Sequence, residues 1–144
     1  AAGKQHPCRS DARVATEGAR SGARCFLFHH DKAQPNDSVR TERIAITPER
    51  TYRLTAWIKR AAGPDKTSVF TGLWPHTYPE QSADKFVRRL PVWIPKADHT
   101  FDWRQYELVF RAAPTERFVV IWLYVSDEQG DIWMDDVELV EMED

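Results

Sequence analysis

The side chains of this 144-residue chain best suited to chemistry are aromatic rings and carboxylates, and they fall at alternate positions. In the run Phe118 to Val125, the residues Val119, Ile121 and Leu123 share one parity, and Phe118, Val120, Trp122 and Tyr124 the other. In Tyr52 to Lys59, the residues Tyr52, Leu54, Ala56 and Ile58 share a parity that Trp57 opposes. Successive side chains of a strand point to opposite faces. If the aliphatic sets fill a core, Trp57, Trp122 and Tyr124 therefore project from it. Outward rings are platforms for stacking, and Gln105, Glu107, Arg53 and Lys59 have the parity to supply polar partners. Trp74, His76, Tyr78 and Trp93 lie in or beside the stretch 74–84, which reads as the longest loop, and are expected at a rim. Trp103 and Trp133 are assigned to ordinary core packing. The long segment 74–98 could instead fold over the outward rings and bury them.

Asp135 shares the parity of Val137 and Leu139, which points it inward. A buried carboxylate is costly unless it is hydrogen-bonded, paired or bound to a cation. Asp136 faces the other way and reads as a surface residue. The adjacent His29 and His30 point to opposite faces of a strand and make a poor chelate. No nucleophile elbow, zinc-protease, phosphate-loop or dinucleotide motif is present. Carboxylates are numerous in the second half, but a glycosidase needs a suitably spaced pair in a cleft. A sandwich of this length has nothing extra to enclose one, so catalysis is not expected.

The elements that must position these residues are strands. No useful window keeps a helical apolar period, whereas period-two alternation recurs. Strands are predicted near 12–16, 23–29, 40–46, 52–59, 67–74, 86–93, 104–110, 117–125 and 132–139. Turn signals separate them at Glu17-Gly18, Gln34 to Asp37, Thr47 to Glu49, Ala62 to Asp65, Ala113-Pro114 and Gln129-Gly130. Strands every 10–15 residues with no helical crossover imply antiparallel pairing in a sandwich or barrel. The length fits one domain spanning 1–144. No apolar run approaches the ~20 residues of a helical membrane span. A net charge of -2 argues against a nucleic-acid binder. That total conceals 12 Lys/Arg against 6 Asp/Glu in residues 1–60, giving +6, and 8 against 16 beyond, giving -8. Such asymmetry could steer an acidic ligand to the first half. Cys8 and Cys25 are either two unlinked thiols or one disulfide. A start at Ala1-Ala2-Gly3 without a leader suggests a piece of something larger.

Taken together, the segments resemble a known family. Trp103 leads the strand Arg104 to Phe110, which closes on Ala112-Ala113-Pro114. An alternating strand follows, then Trp133-Met134-Asp135-Asp136-Val137-Glu138-Leu139. Upstream stand Ser21-Gly22 before Cys25 to Phe28, and Tyr52-Arg53-Leu54-Thr55-Ala56-Trp57-Ile58-Lys59. This order is similar to carbohydrate-binding modules of the galactose-binding-like type, families four, nine, sixteen and twenty-two. The resemblance implies an all-β antiparallel β-sandwich, a jelly roll, with a concave outer face that holds a polysaccharide or oligosaccharide. Its candidate contacts are Trp57, Trp122, Tyr124, Trp74, Tyr78, Trp93, Glu107 and Gln105. It also implies a structural calcium held by Asp135, Glu17 and the Arg20 carbonyl. The implied role is a secreted, non-catalytic accessory domain that targets an attached catalytic domain to a polysaccharide, with neither nucleic acid nor membrane as partner. The alternatives are a structural or protein-interaction sandwich without a sugar site, and a small lyase or hydrolase. Nothing here matches the family's usual Asn-Gly-x-Phe-Glu opening, so the first strand is either cut away or replaced.

Overall fold

Alternation that repeats this often has one outcome: strands that each bury one face. The computed structural model describes residues 12–15, 25–34 and 36–143. In chain order its strands are β1 Ala12–Ala15, β2 Cys25–Gln34, β3 Asp37–Arg40, β4 Ile44–Ala45, β5 Thr51–Ala61, β6 Gly72–Tyr78, β7 Arg88–Arg89, β8 Val92–Trp93, β9 Thr100–Arg111, β10 Phe118–Val125 and β11 Glu128–Glu141. A single 3-10 turn, Pro64–Lys66, follows β5. One sheet has the order β1-β2-β11-β5-β9; the other runs β3-β10-β6-β7, with β4 on β10 and β8 on β6. All pairings are antiparallel. This is the expected all-β sandwich. Cys8, Glu17, Arg20 and the Ser21-Gly22 element lie outside the described residues.

The core fills as the parities require. Phe26, Phe28, Leu54, Ile58, Ile132 and Met134 of the first sheet meet Val39, Leu73, Val119, Ile121 and Leu123 of the second. Each fully buried side chain of this size contributes about 1.5–3 kcal/mol. The parity of Tyr52 to Ile58 continues inward to Arg60, which is 1% exposed. Its Nη2 and Nε donate to Glu128 at 2.6 and 3.1 Å, and Glu128 also accepts from Thr71 Oγ1 at 2.7 Å. This buried pair fastens the loop that leads into β6.

Three predicted strands shift or split: 40–46 parts into β3 and β4, 86–93 into β7 and β8, and 67–74 moves along the chain. The strand expected at 67–74 begins only at Gly72, and it continues through Trp74 to Tyr78, where a loop was expected. Pro75 is unusual inside this strand, because a central strand normally needs every N–H. In an antiparallel ladder a residue's N and C=O face the same neighbour. The Pro75 carbonyl accepts from Leu90 N at 3.0 Å, so its missing donor faces the break between β7 and β8, where Leu90-Pro91 interrupt the edge. Segment 79–98 extends the sheet edge: Leu90 and Val92 pack on the core and Ile94 is buried, while Phe86, Arg89 and Trp93 lie on the outer face and leave the rings there half-buried.

Candidate functional site

The outer face of the six-stranded sheet is built by register. Trp122 on β10 pairs with Arg40 on β3 and Trp74 on β6; Val120 pairs with His76, and Tyr124 with Gly72. Farther along, His76 pairs with Arg89, and Gly72 with Trp93. Directly paired residues point to the same face, so these rings converge. From Trp74, ring centres lie at 4.9 Å to Tyr124, 5.3 Å to Trp122 and 5.7 Å to Trp93. Gly72 makes the convergence possible. A Cβ there would sit 2.0 Å from the Val92 carbonyl oxygen, and the residue's φ of +153° suits glycine. Without a side chain there, the β8 backbone lies close against Gly72 and brings Trp93 beside Trp74 and Tyr124.

The rings differ in what holds them. β3 and β6 flank β10 on opposite sides, so Trp122 is held between the Arg40 guanidinium, 3.6 Å from its centre, and the His76 imidazole, stacked at 4.6 Å and 18°. Trp122 is thus clamped on both sides, and it is half-buried, as are Trp74, Trp93 and Tyr124. Tyr124 is oriented by its hydroxyl, which donates to Asn36 Oδ1. Tyr78 is covered by Arg43, whose guanidinium lies 3.9 Å above its ring. Arg43 also donates to the carbonyls of Glu80, Gln81 and Ala83 at 2.5–2.8 Å, fixing the turn that carries Phe86. Phe86 stands 5.4 Å from His76. Arg89 reaches across the rim, 5.5 Å from the Trp74 centre and 4.9 Å from Phe86.

Charge on this face follows from what anchors it. Arg88 points inward to Glu116, donating from Nη2 at 2.6 Å and Nε at 3.0 Å, and alternation then sends Arg89 outward. Burial pushes the Glu116 carboxyl up, but hydrogen bonds from Arg88, Thr77 and the Ala113 amide outweigh it and leave it below the usual range. His76 is held below the ordinary imidazole value: burial lowers it most, the Trp74 carbonyl opposes, and Arg89 and Arg40 lower it further. Because a carbonyl only accepts, its contact with His76 Nδ1 at 2.8 Å places a proton on that nitrogen.

The expected site divides between two sheets. Trp122, Tyr124, Trp74 and Trp93 come together, with Tyr78 at their margin. Trp57, Gln105 and Glu107 do project outward, but from the five-stranded sheet: Trp57 pairs with Gln105, and Glu107 with Thr55. The reading that Trp57 and Trp122 share one face is therefore corrected. Parity within a strand says which side is outward and not which sheet the strand joins. Trp103 and Trp133 are corrected too. They are half-buried against Leu27 on the outer side of the five-stranded sheet, not in the core. An open cavity of about 360 Å³ lined by His30, Lys66, Thr100 and Gln129 contains none of the aromatic residues.

Asp135 also departs from its expected parity. It pairs with Trp57, and the register slips before Glu138 meets Thr55. Asp136 occupies the bulge with φ of +51°, a conformation Asp tolerates better than most residues. The extra residue reverses parity, so Leu139 faces the core while Asp135 lies on the side of Trp57. Asp135 is nonetheless 0% exposed, and its Oδ1 accepts from the Asp136 amide at 2.8 Å. A buried carboxylate beside a second acid is donor chemistry that suits calcium. Among the described residues no three His, Cys, Asp or Glu side chains converge on one point.

Sequence reasoning set His76 at a rim and missed Arg40, Arg89 and Phe86. All four were within reach. Arg40 and Arg89 lie in segments predicted as strands, and parity from Trp74 reaches His76 once Pro75 is admitted to the strand.

No protein-family model matches the chain, and no curated protein does either. Solved structures do. A family 16 carbohydrate-binding module aligns at a TM-score of 0.66 with 21% identity, covering 91% of this chain and 86% of the module. The CBM22-1 xylan-binding domain from Paenibacillus barcinonensis Xyn10C aligns at 0.59 with 10% identity, over 94% and 84%. TmCBM61, solved in complex with beta-1,4-galactotriose, aligns at 0.57 with 17% identity, over 94% and 86%. The chain has the jelly-roll fold found in carbohydrate-binding modules.

Proposed function

We propose that this chain is a non-catalytic carbohydrate-binding domain and that its site is the outer face of the six-stranded sheet. The observation that carries the reading is the convergence of Trp74, Trp93 and Tyr124 over Gly72, buttressed by Trp122 and flanked by Arg40 and Arg89. A pyranose presents a flat patch of C–H groups that stacks on an aromatic ring, and guanidinium N–H groups satisfy its oxygens. The rings are tilted to one another by 49–72°. A flat crystalline surface would meet only one of them at a time, so a single twisted chain or a short oligosaccharide fits better. The fold shared with a module named as xylan-binding and with one solved in complex with beta-1,4-galactotriose supports the same reading.

Its role would be to raise the local concentration of an attached catalytic domain on a polysaccharide, in a secreted protein. Affinity electrophoresis against xylan, galactan, glucan and acidic glycans tests it. Retardation by at least one is expected, and none by any, with the protein folded, ends the reading. A second reading, a partner-covered sandwich, draws on Val69 and Phe70, which are 50% and 52% exposed beside Trp93. It requires self-association or a co-purifying chain in place of glycan binding. For Asp135 we propose a structural calcium, with Glu17 and the Arg20 carbonyl as further donors. Chelator should then lower the melting temperature, and an unchanged midpoint would remove the ion.

A further inference from the structure

Among the described residues, the outward strand positions of the six-stranded sheet are charged in one sense. These positions, taken from the register, hold two guanidiniums, one imidazole, the Ser38 hydroxyl at 9% exposure and a group of aromatic rings, and no Asp or Glu. A neutral sugar hydroxyl is both donor and acceptor, and asks for both from its protein. This face is rich in N–H donors and poor in acceptors. The Tyr124 hydroxyl is already committed to Asn36, and His76 is 4% exposed. A carboxylate is the ligand group that only accepts.

Arg89 is placed to meet one. It is exposed, it lies over Trp74 and Phe86, and it makes no ion pair with a carboxylate among the described residues. Its neighbour Arg88 is fixed on Glu116, which sets the strand that presents it. The planar guanidinium fork matches a carboxylate with two parallel hydrogen bonds, a geometry that a single ammonium cannot reproduce. The donor-rich face with its exposed guanidinium beside a stacking ring has the charge complement of an acidic sugar.

We propose that this face selects a carboxylated glycan, a chain containing uronic acid, with Arg89 clamping the carboxylate of a residue whose ring stacks on Trp74. This deepens the reading of the face as a glycan site and rests on it. The positive charge comes from both halves of the chain, Arg40 from the basic half and Arg89 from the acidic one. Folding therefore creates a patch that the charge of either half alone does not.

The test uses the full chain with polygalacturonate and alginate, each alongside its carboxyl-reduced counterpart, in calorimetry at low and high salt. The uronate form is expected to bind about tenfold or more tighter than the reduced form, with an advantage that shrinks as salt rises. Arg89→Gln should level the two forms, and Arg89→Lys should keep salt dependence while losing most of the preference. Circular dichroism of both variants establishes that they fold. If a reduced polymer or neutral xylan binds as tightly as the uronates, the face is a glycan site without acid selectivity and this proposal falls alone. Dextran sulfate bound as tightly as the uronates reduces Arg89 to a general anion contact and also overturns it. If a folded protein binds none of these polymers, nor galactan or glucan, both readings fall together.

Discussion

The six tryptophans divide evenly between the two outer faces of the sandwich, and none is a core residue. Trp74, Trp93 and Trp122 stand on the six-stranded sheet, and Trp57, Trp103 and Trp133 on the five-stranded one. The two sets sit in different electrostatic surroundings. On the five-stranded face charges come in opposed pairs: Arg53 with Glu107 at 3.5 Å and His29 with Asp131, while Lys59 lies 5.0 Å from the Trp133 ring. On the six-stranded face the charged groups that lie over the rings, among the described residues, are the guanidiniums of Arg40, Arg43 and Arg89. Paired charges screen a surface and leave it little reason to bind. Unbalanced charge beside clustered rings leaves a demand that a ligand can meet. Aromatic content alone therefore does not locate a site; the company the rings keep does.

The largest expected effect separates the faces directly. Trp74 touches four other aromatic side chains at the centre of its cluster, the position where binding hot spots concentrate. Trp74→Ala should weaken glycan binding by about 100-fold or more. Trp57→Ala should leave it within about twofold, because that ring lies across the sandwich from the cluster. Calorimetry with whichever glycan retards the protein reads both. Equal losses would mean that the division into one binding and one structural face is mistaken.

Two glycines give the next contrast. Gly72 and Gly130 both have positive φ, and a Cβ would strike backbone oxygen at 2.0 and 2.4 Å respectively. Either Gly→Ala change should cost about 2–4 kcal/mol of stability, seen as a lower urea midpoint. Only Gly72→Ala should also spoil binding, since Trp93 and Tyr124 are its cross-strand neighbours. Gly130 lies on β11 at the other sheet, and its variant should bind normally whenever it is folded. Lost binding in Gly130→Ala would show that the face depends on the global packing of both sheets.

How much of this was legible follows from which forces are local. Parity along Phe118 to Val125 gave the inward and outward sets correctly, because a hydrophobic face is written into every second residue. The Asp135 side was misread because a one-residue bulge reverses parity, and nothing in Asp135-Asp136-Val137 announces where the slip falls. Trp57 and Trp122 were grouped because strand order is a property of long-range pairing, which no local pattern carries. Arg60 was hidden by its charge. Its parity is inward, but only its distant partner Glu128 makes that burial tolerable. That a strand runs through Pro75 depends on the interrupted edge beside it, which is again a long-range feature.

The smallest effect is electrostatic, and it tests the comparison without disturbing a contact. Each outer face carries a histidine whose surroundings push it in a different direction. His29 is raised above 6.5 by its hydrogen bond and charge pairing with Asp131, with burial opposing and Asp31 adding to the rise. His76 is lowered from 6.5 by burial, against its bond to the Trp74 carbonyl, and further by Arg89 and Arg40. The linkage signs are opposite. The stability that His29 adds is complete below the unfolded value and is lost as pH rises through its folded one. The contribution of His76 is present above the unfolded value and is lost as pH falls through its folded one. Following the two imidazole Hε1 resonances from pH 8 to 5 should give a midpoint above 6.5 for His29 and below it for His76. Arg89→Gln should move the His76 midpoint upward by removing a nearby cation, and leave His29 where it is. A His76 that titrates above 6.5 would mean that an anion or a carboxylate already reaches this face, and the one-signed charge on which the contrast rests would be gone.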